Sequence, residues 1–185
     1  MFRKIEGRLE EILGIEHIDR GEERRQKERF LGLARNAFQK IILVAGELNP
    51  NFYDGESGFP KIIKDKIERN DNFRVEIMFH KKDENATSAL DTISIENPEL
   101  NEVFRQYPNN IRMYWAEKRP KYHFCVFDNN LFLEDVHETG IARKIAVVYN
   151  QPDKVNKYEE HLEKMKTYQQ NNTPVVHLLN ETLTA

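Results

Sequence analysis

The run Ile41-Ile42-Leu43-Val44-Ala45 is apolar at every position. Its shortness and its β-branched residues predict a strand buried on both faces, not a turn of helix. It follows directly on a helical pattern over residues 22–38, which is charged in its first half and then carries Phe30, Leu31, Leu33, Ala34, Ala37 and Phe38. A strand of this kind belongs inside a sheet with helices packed on it.

The rest of the chain repeats the theme. Phe2, Ile5, Leu9, Ile12 and Leu13 have helical spacing and end at Gly14, which predicts an N-terminal helical appendage over residues 1–20 ahead of a main domain over 21–185. Asn49-Pro50-Asn51, Asp54-Gly55 and Ser57-Gly58 read as a long loop. Helices are expected at 60–69, at 98–107 behind Pro98, and at 152–168, where Val155, Tyr158, Leu162 and Met165 share a face. Strands are expected at 40–46, 74–79, 111–116, 121–128, 131–136 and 144–149, with a polar loop at 81–88. Helices and strands alternate early, and later two strands meet at the tight turn Asp128-Asn129-Asn130. That order predicts an α/β fold, a mixed β-sheet flanked by helices.

Bulk properties exclude several classes. The chain has 185 residues, 39% hydrophobic and 32% charged, with a net charge of −3, so polyanion binding would need a local basic patch. The single cysteine, Cys125, rules out an intramolecular disulfide framework and reads as a small buried hydrophobe. No apolar run approaches the ~20 residues needed to span a bilayer. Met1-Phe2-Arg3-Lys4 is followed by charged residues instead of an apolar signal core, so a cytoplasmic protein is expected.

The strand expected over 121–128 carries Lys121, His123 and Asp128 in the spacing Lys-x-His-x4-Asp. Residues two apart on a strand share a face, so Lys121 and His123 would project together. This resembles the His-x-Lys-x4-Asp signature of the phospholipase D superfamily with its first two residue types exchanged. The flanking pieces also resemble a single phospholipase D-like domain across roughly residues 25–170. They are the helix ending Ala34-Arg35-Asn36-Ala37-Phe38, the strand Lys40-Ile41-Ile42-Leu43-Val44, the strand Arg74-Val75-Glu76-Ile77-Met78, and Val147-Val148-Tyr149-Asn150-Gln151-Pro152-Asp153. The resemblance implies a phospholipase D-like fold. Because only one copy of the motif is present, it also implies an isologous homodimer that completes the site across a two-fold axis.

The departures from the family pattern concern chemistry. In active members the motif histidine attacks phosphorus and a second histidine protonates the leaving group; here Lys121 stands at the nucleophile's place and His123 at the lysine's. Where the family has a Gly-Ser pair and an Asn, this chain reads Asp135-Val136-His137-Glu138, and an added carboxylate repels a phosphodiester. Moving an imidazole two residues along a strand displaces it by ~6–7 Å, whereas an error near 1 Å already costs on the order of a hundredfold in rate. Lys121 could serve as nucleophile only with its amine deprotonated, which needs strong burial or neighbouring cations.

Each candidate has a functional and a structural reading. His123 is a relocated nucleophile or general acid, or a residue at the core's edge kept in hydrogen bonds. Lys118, Arg119 and Lys121 form a local anion site or a solvated loop. Asp128 orients Lys121 or His123, or serves the turn before Asn129-Asn130. His80, His123 and His137 match no compact metal-ligand spacing, so no metal is expected, and no cofactor is implied. Gly55 and Gly58 lack the Gly-Lys-Ser/Thr sequel of a phosphate-cradling loop. Tyr114 and Trp115 read as core or interface residues.

The expected function is therefore a non-catalytic homodimeric binding or assembly module with a weak site for an anion or nucleic acid, and with residues 2–13 available to a protein partner. The alternative is an active phosphodiesterase or nuclease that uses a transposed His/Lys pair at the dimer interface.

Overall fold

A computed structural model describes residues 14–18, 21–80, 89–134, 146–170, 173–174 and 176–178. The expected helix at 2–13, the loop at 81–88, and Asp135, His137 and Glu138 lie outside the described residues. The elements run β1 (Ile15–Ile18), α1 (Glu23–Asn36), β2 (Lys40–Val44), α2 (Pro50–Tyr53), a 3-10 turn (Gly55–Ser57), α3 (Phe59–Arg69) and β3 (Arg74–His80). Then come α4 (Ala89–Glu96), α5 (Pro98–Gln106), β4 (Ile111–Ala116), β5 (His123–Phe127), β6 (Asn130–Glu134), β7 (Ala146–Tyr149), α6 (Pro152–Thr167) and three short strands, β8 (Gln169–Gln170), β9 (Thr173–Pro174) and β10 (Val176–Leu178).

Eight strands form one sheet in the order β1-β7-β6-β5-β2-β3-β4-β10. β2, β3 and β4 are parallel neighbours, and every other pairing is antiparallel. The parallel trio needs crossovers, which the helices between β2 and β4 supply. The expected α/β architecture, a mixed sheet flanked by helices, is the observed one.

The sheet has a core on each face, which explains the continuous apolar strands. One core joins Ile41, Leu43, Val75, Ile77, Cys125 and Phe127 to residues of α1 to α5. Phe30 of α1 is at its centre, fully buried, with ring centroids 5.2 Å from both Phe59 and Phe127 and 5.6 Å from Tyr53. The other core joins Ile42, Val44, Phe124 and Val126 to Val155 and Leu162 of α6. Two ion pairs tie α6 to the sheet: Lys40 Nζ lies 2.5 Å from Glu159 Oε1, and Lys166 contacts Glu76 while also lying 2.7 Å from Glu163. Burial pulls the Lys166 ammonium toward neutrality, but the Glu163 and Glu76 carboxylates outweigh it and hold its pKa above the usual lysine value.

Several elements differ from expectation. Residues 49–58 were expected as loop, yet Pro50–Tyr53 is a helical turn and Gly55–Ser57 a 3-10 turn; Tyr53 is buried, so packing organises the segment. Gly58 at φ 74° ends the 3-10 turn and starts α3, a backbone conformation that favours glycine. Asp54 Oδ1 accepts from the backbone N–H groups of Glu99 and Leu100 and so caps α5 from this segment. Helix α4 was not expected. Ile15–Ile18, within the stretch assigned to the appendage 1–20, pairs with β7 and extends the main sheet. β10 covers the outer edge of β4. Lys121 and Tyr122 precede β5, which begins only at His123.

Candidate functional site

The carboxyl ends of β2, β3 and β4 meet the start of β5 along one rim of the sheet, because β5 runs antiparallel to β2 with Val44 opposite Phe124. Open α/β sheets place ligands outside the carboxyl ends of parallel strands. Here the chain leaves β2 through Ala45 and Gly46. The Ala45 amide donates to the Met78 carbonyl at 2.9 Å, and the Gly46 carbonyl accepts from the His80 amide at 3.2 Å.

Gly46 explains how side chains fit this rim. A methyl group on it would lie 2.4 Å from Arg119 Nε and 2.5 Å from His123 Nε2. Both nitrogens are therefore within 2.5 Å of one point, hence no more than about 5 Å apart, above a backbone that only glycine leaves open. Arg119 is exposed and His123 half-buried. Beside them, His80 Nδ1 is 3.1 Å from the Ala116 carbonyl oxygen, so Nδ1 carries the proton in that bond. A guanidinium beside an imidazole over an exposed rim suits recognition of an oxyanion, since the guanidinium supplies fixed, permanently charged donors.

Lys121 does not join this group through the strand. It lies before β5, is exposed, and its ammonium is 5.3 Å from the Tyr122 ring centroid. The expectation that Lys121 and His123 share a strand face fails because the strand starts two residues later than its apolar pattern suggested. Lys118, next to Arg119 in the chain, is also exposed.

Asp128 is at the other end of β5. Five residues of strand separate the two ends, ~16 Å at the usual rise. Its Oδ2 accepts from the Phe38 amide at 2.6 Å, and its Oδ1 from the Gln39 and Lys40 amides at 3.0 and 2.9 Å. It adopts φ 50°, a left-handed conformation that aspartate tolerates better than most residues. Asp128 therefore ties the β5–β6 turn to the α1–β2 junction and does not touch His123. Lys66 reinforces that junction, with Nζ donating to the carbonyls of Arg35 and Ala37, the latter at 2.5 Å. Burial lowers the Lys66 pKa, partly offset by Asp128.

Sequence reasoning named His123 and Arg119 separately but missed Gly46 and the role of His80. The available signal was a glycine directly after a fully apolar strand, a common mark of close approach. Among the described residues no group of three or more His, Cys, Asp or Glu side chains could hold a metal ion. Among the same residues no helix is long and apolar enough to cross a membrane.

No protein-family model matches the sequence, and no curated protein matches it. Solved structures do match the fold. An archaeal chromatin protein, TrmBL2, whose structure shows a novel mode of DNA binding, aligns over 88% of this chain and 60% of its own, with 12% identity and a TM-score of 0.56. NucT from Helicobacter pylori aligns over 81% of this chain and 93% of its own, with 11% identity and a TM-score of 0.53. The phosphatidylserine synthase of Haemophilus influenzae Rd KW20 aligns over 84% of this chain but 37% of its own, with 12% identity and a TM-score of 0.55. This chain thus spans about three fifths of the chromatin protein and nearly all of NucT. The fold is α/β and phospholipase D-like.

Proposed function

We propose that this protein is a non-catalytic phospholipase D-like binding module that pairs with a second copy of itself and holds a phosphate-type anion weakly at the rim of Arg119 and His123. The observation that carries the reading is the pair of nitrogens converging on Gly46 while Lys121 stays outside the strand and leans over Tyr122. A guanidinium beside an imidazole provides recognition, and Lys121 rather than His123 stands at the place of the family's nucleophile. Hydrolysis by the family route needs two imidazoles in line with phosphorus, one as nucleophile and one as acid. The fold shared with a chromatin protein whose structure shows DNA binding supports nucleic acid as the source of the anion. Fold alone does not assign function, so the site has to bear the weight of the reading.

The competing reading is a phosphodiesterase or nuclease with a transposed pair. The position of His123 favours it, since the imidazole lies at the carboxyl rim of the parallel strands, where catalysis in open α/β sheets is placed.

The two readings separate in a turnover assay on a chromogenic phosphodiester and on single- and double-stranded DNA at pH 6–8, run beside His123→Ala. Our reading expects no rate above background in either protein. A rate that alanine abolishes would establish the competing reading. Light scattering at micromolar concentration is expected to give about twice the chain mass of 22.0 kDa; a monomer would remove the paired site.

A further inference from the structure

Side chains alternate along β5, so Phe124 and Val126 face α6 while His123, Cys125 and Phe127 belong to the opposite side. Tyr122, just before the strand, sits on the α6 side. Its ring centroid is 5.7 Å from the His161 ring and 6.3 Å from Tyr158, both edge to face. Tyr158 in turn lies 4.9 Å from buried Phe124, so the aromatic group is anchored on the core. Tyr122 nevertheless remains 44% exposed.

These rings border a cavity of about 320 Å³, lined by Tyr122, Lys157, Tyr158, Glu160, His161 and Lys164. The volume falls at the lower end of the range for small-molecule pockets. Its lining combines aromatic rings with two lysines. Lys157 and Lys164 face one carboxylate, Glu160, whose contact with Lys164 is 4.0 Å between largely exposed groups and therefore weak. The Lys121 ammonium over Tyr122 adds a third cation nearby. Burial, then Lys164, pushes the His161 pKa below its usual value, so the ring is a neutral hydrogen-bonding group at pH 7. Burial, then Tyr122 and Tyr149, raises the Tyr158 pKa, so that ring brings no negative charge.

We propose that this cavity binds a nucleotide, with the base stacked on Tyr122 and the phosphate held by Lys157 and Lys164. The chemistry requires a planar aromatic ring and an anion in one ligand. An aromatic platform accepts any base through its π-face, and lysines along the backbone track supply the phosphate contacts. Glu160 and His161 are placed to take hydrogen bonds from the sugar or base. The site is on the other face of β5 from Arg119 and His123 and does not depend on the reading given to them.

Calorimetric titration of the full chain at low salt with inorganic phosphate, AMP and a ten-residue oligoadenylate tests the proposal. AMP is expected to bind at least about tenfold more tightly than phosphate, because stacking adds to the anion contact. Tyr122→Leu should lose about tenfold in AMP affinity while Tyr122→Phe keeps it. Lys157→Gln and Lys164→Gln should each lose about threefold. Arg24→Gln, on the exposed face of α1, should change nothing. An oligoadenylate that binds more tightly than AMP identifies a strand as the source, and equal affinity identifies a free nucleotide. AMP binding no tighter than phosphate, or a Tyr122→Leu protein with full AMP affinity, would overturn the proposal.

Discussion

The two ends of strand β5 carry the two halves of one sequence motif and use them differently. At the Asp128 end, a carboxylate accepts three backbone amides from the α1–β2 junction, and Lys66 donates to two carbonyls of the same junction. At the His123 end, an imidazole and a guanidinium converge on a glycine at an open rim. One end spends its polar groups on holding the chain together. The other keeps a cation at the surface, where a ligand can reach it. Asp128 thus binds backbone of the α1–β2 junction at its end of β5, whatever residue stands at 121.

The largest effect that would break this contrast is on stability. Asp128→Ala leaves the Phe38, Gln39 and Lys40 amides without their charged acceptor and is predicted to cost about 3 kcal/mol. Urea denaturation checks it, and a loss under about 1 kcal/mol would deny the Asp128 end its structural role.

Gly46→Ala comes next. Its methyl group collides with the Arg119 and His123 side chains, which must move aside, so anion binding should go at a cost of about 1 kcal/mol in stability. A variant that binds phosphate normally would show that the two side chains are not held against Gly46.

Arg119→Gln sharpens the contrast from the other side. Arg119 is exposed, so stability should stay within about 0.5 kcal/mol of the parent. Phosphate affinity measured by calorimetry should nevertheless fall roughly fivefold. Loss of stability without loss of affinity would reverse the assignment.

The smallest effect is a pH dependence away from both ends. The folded-state pKa of His161 is lowered, so the folded protein binds fewer protons than the unfolded chain just below the ordinary value of 6.5. Its contribution is therefore fully present above pH 6.5 and is lost as pH falls from there toward the folded value. His161→Gln should flatten this part of the stability profile, read as melting temperature between pH 5 and 7.

The α/β architecture was legible because the buried strands are continuous apolar runs and the helices carry one apolar face each. Ile41–Ala45 and the pattern around Phe30 could hardly be read otherwise. β1 and β10 were not legible: Ile15-Glu16-His17-Ile18 has two polar residues in its middle, and Val176-His177-Leu178 is too short for any period. Phe52 and Tyr53, packed in the core, sat among turn-forming residues that hid them. The site was half legible. Residue type picked out His123 and Arg119, but their convergence depends on Gly46, which is 73 residues from Arg119 in the chain and adjoins it only through the β2–β5 pairing. Spacing suggested that Lys121 belonged with His123, because a period of two holds only where a strand has begun.

Phosphorus NMR of the protein mixed with a simple phosphodiester at pH 7 tests the central claim most directly, since one spectrum reports both binding and chemistry. The account predicts a diester resonance that shifts on titration, needs roughly fivefold more protein for the same shift in Arg119→Gln, and persists without a new signal. A growing monoester or phosphohistidine resonance that His123→Ala abolishes would contradict it.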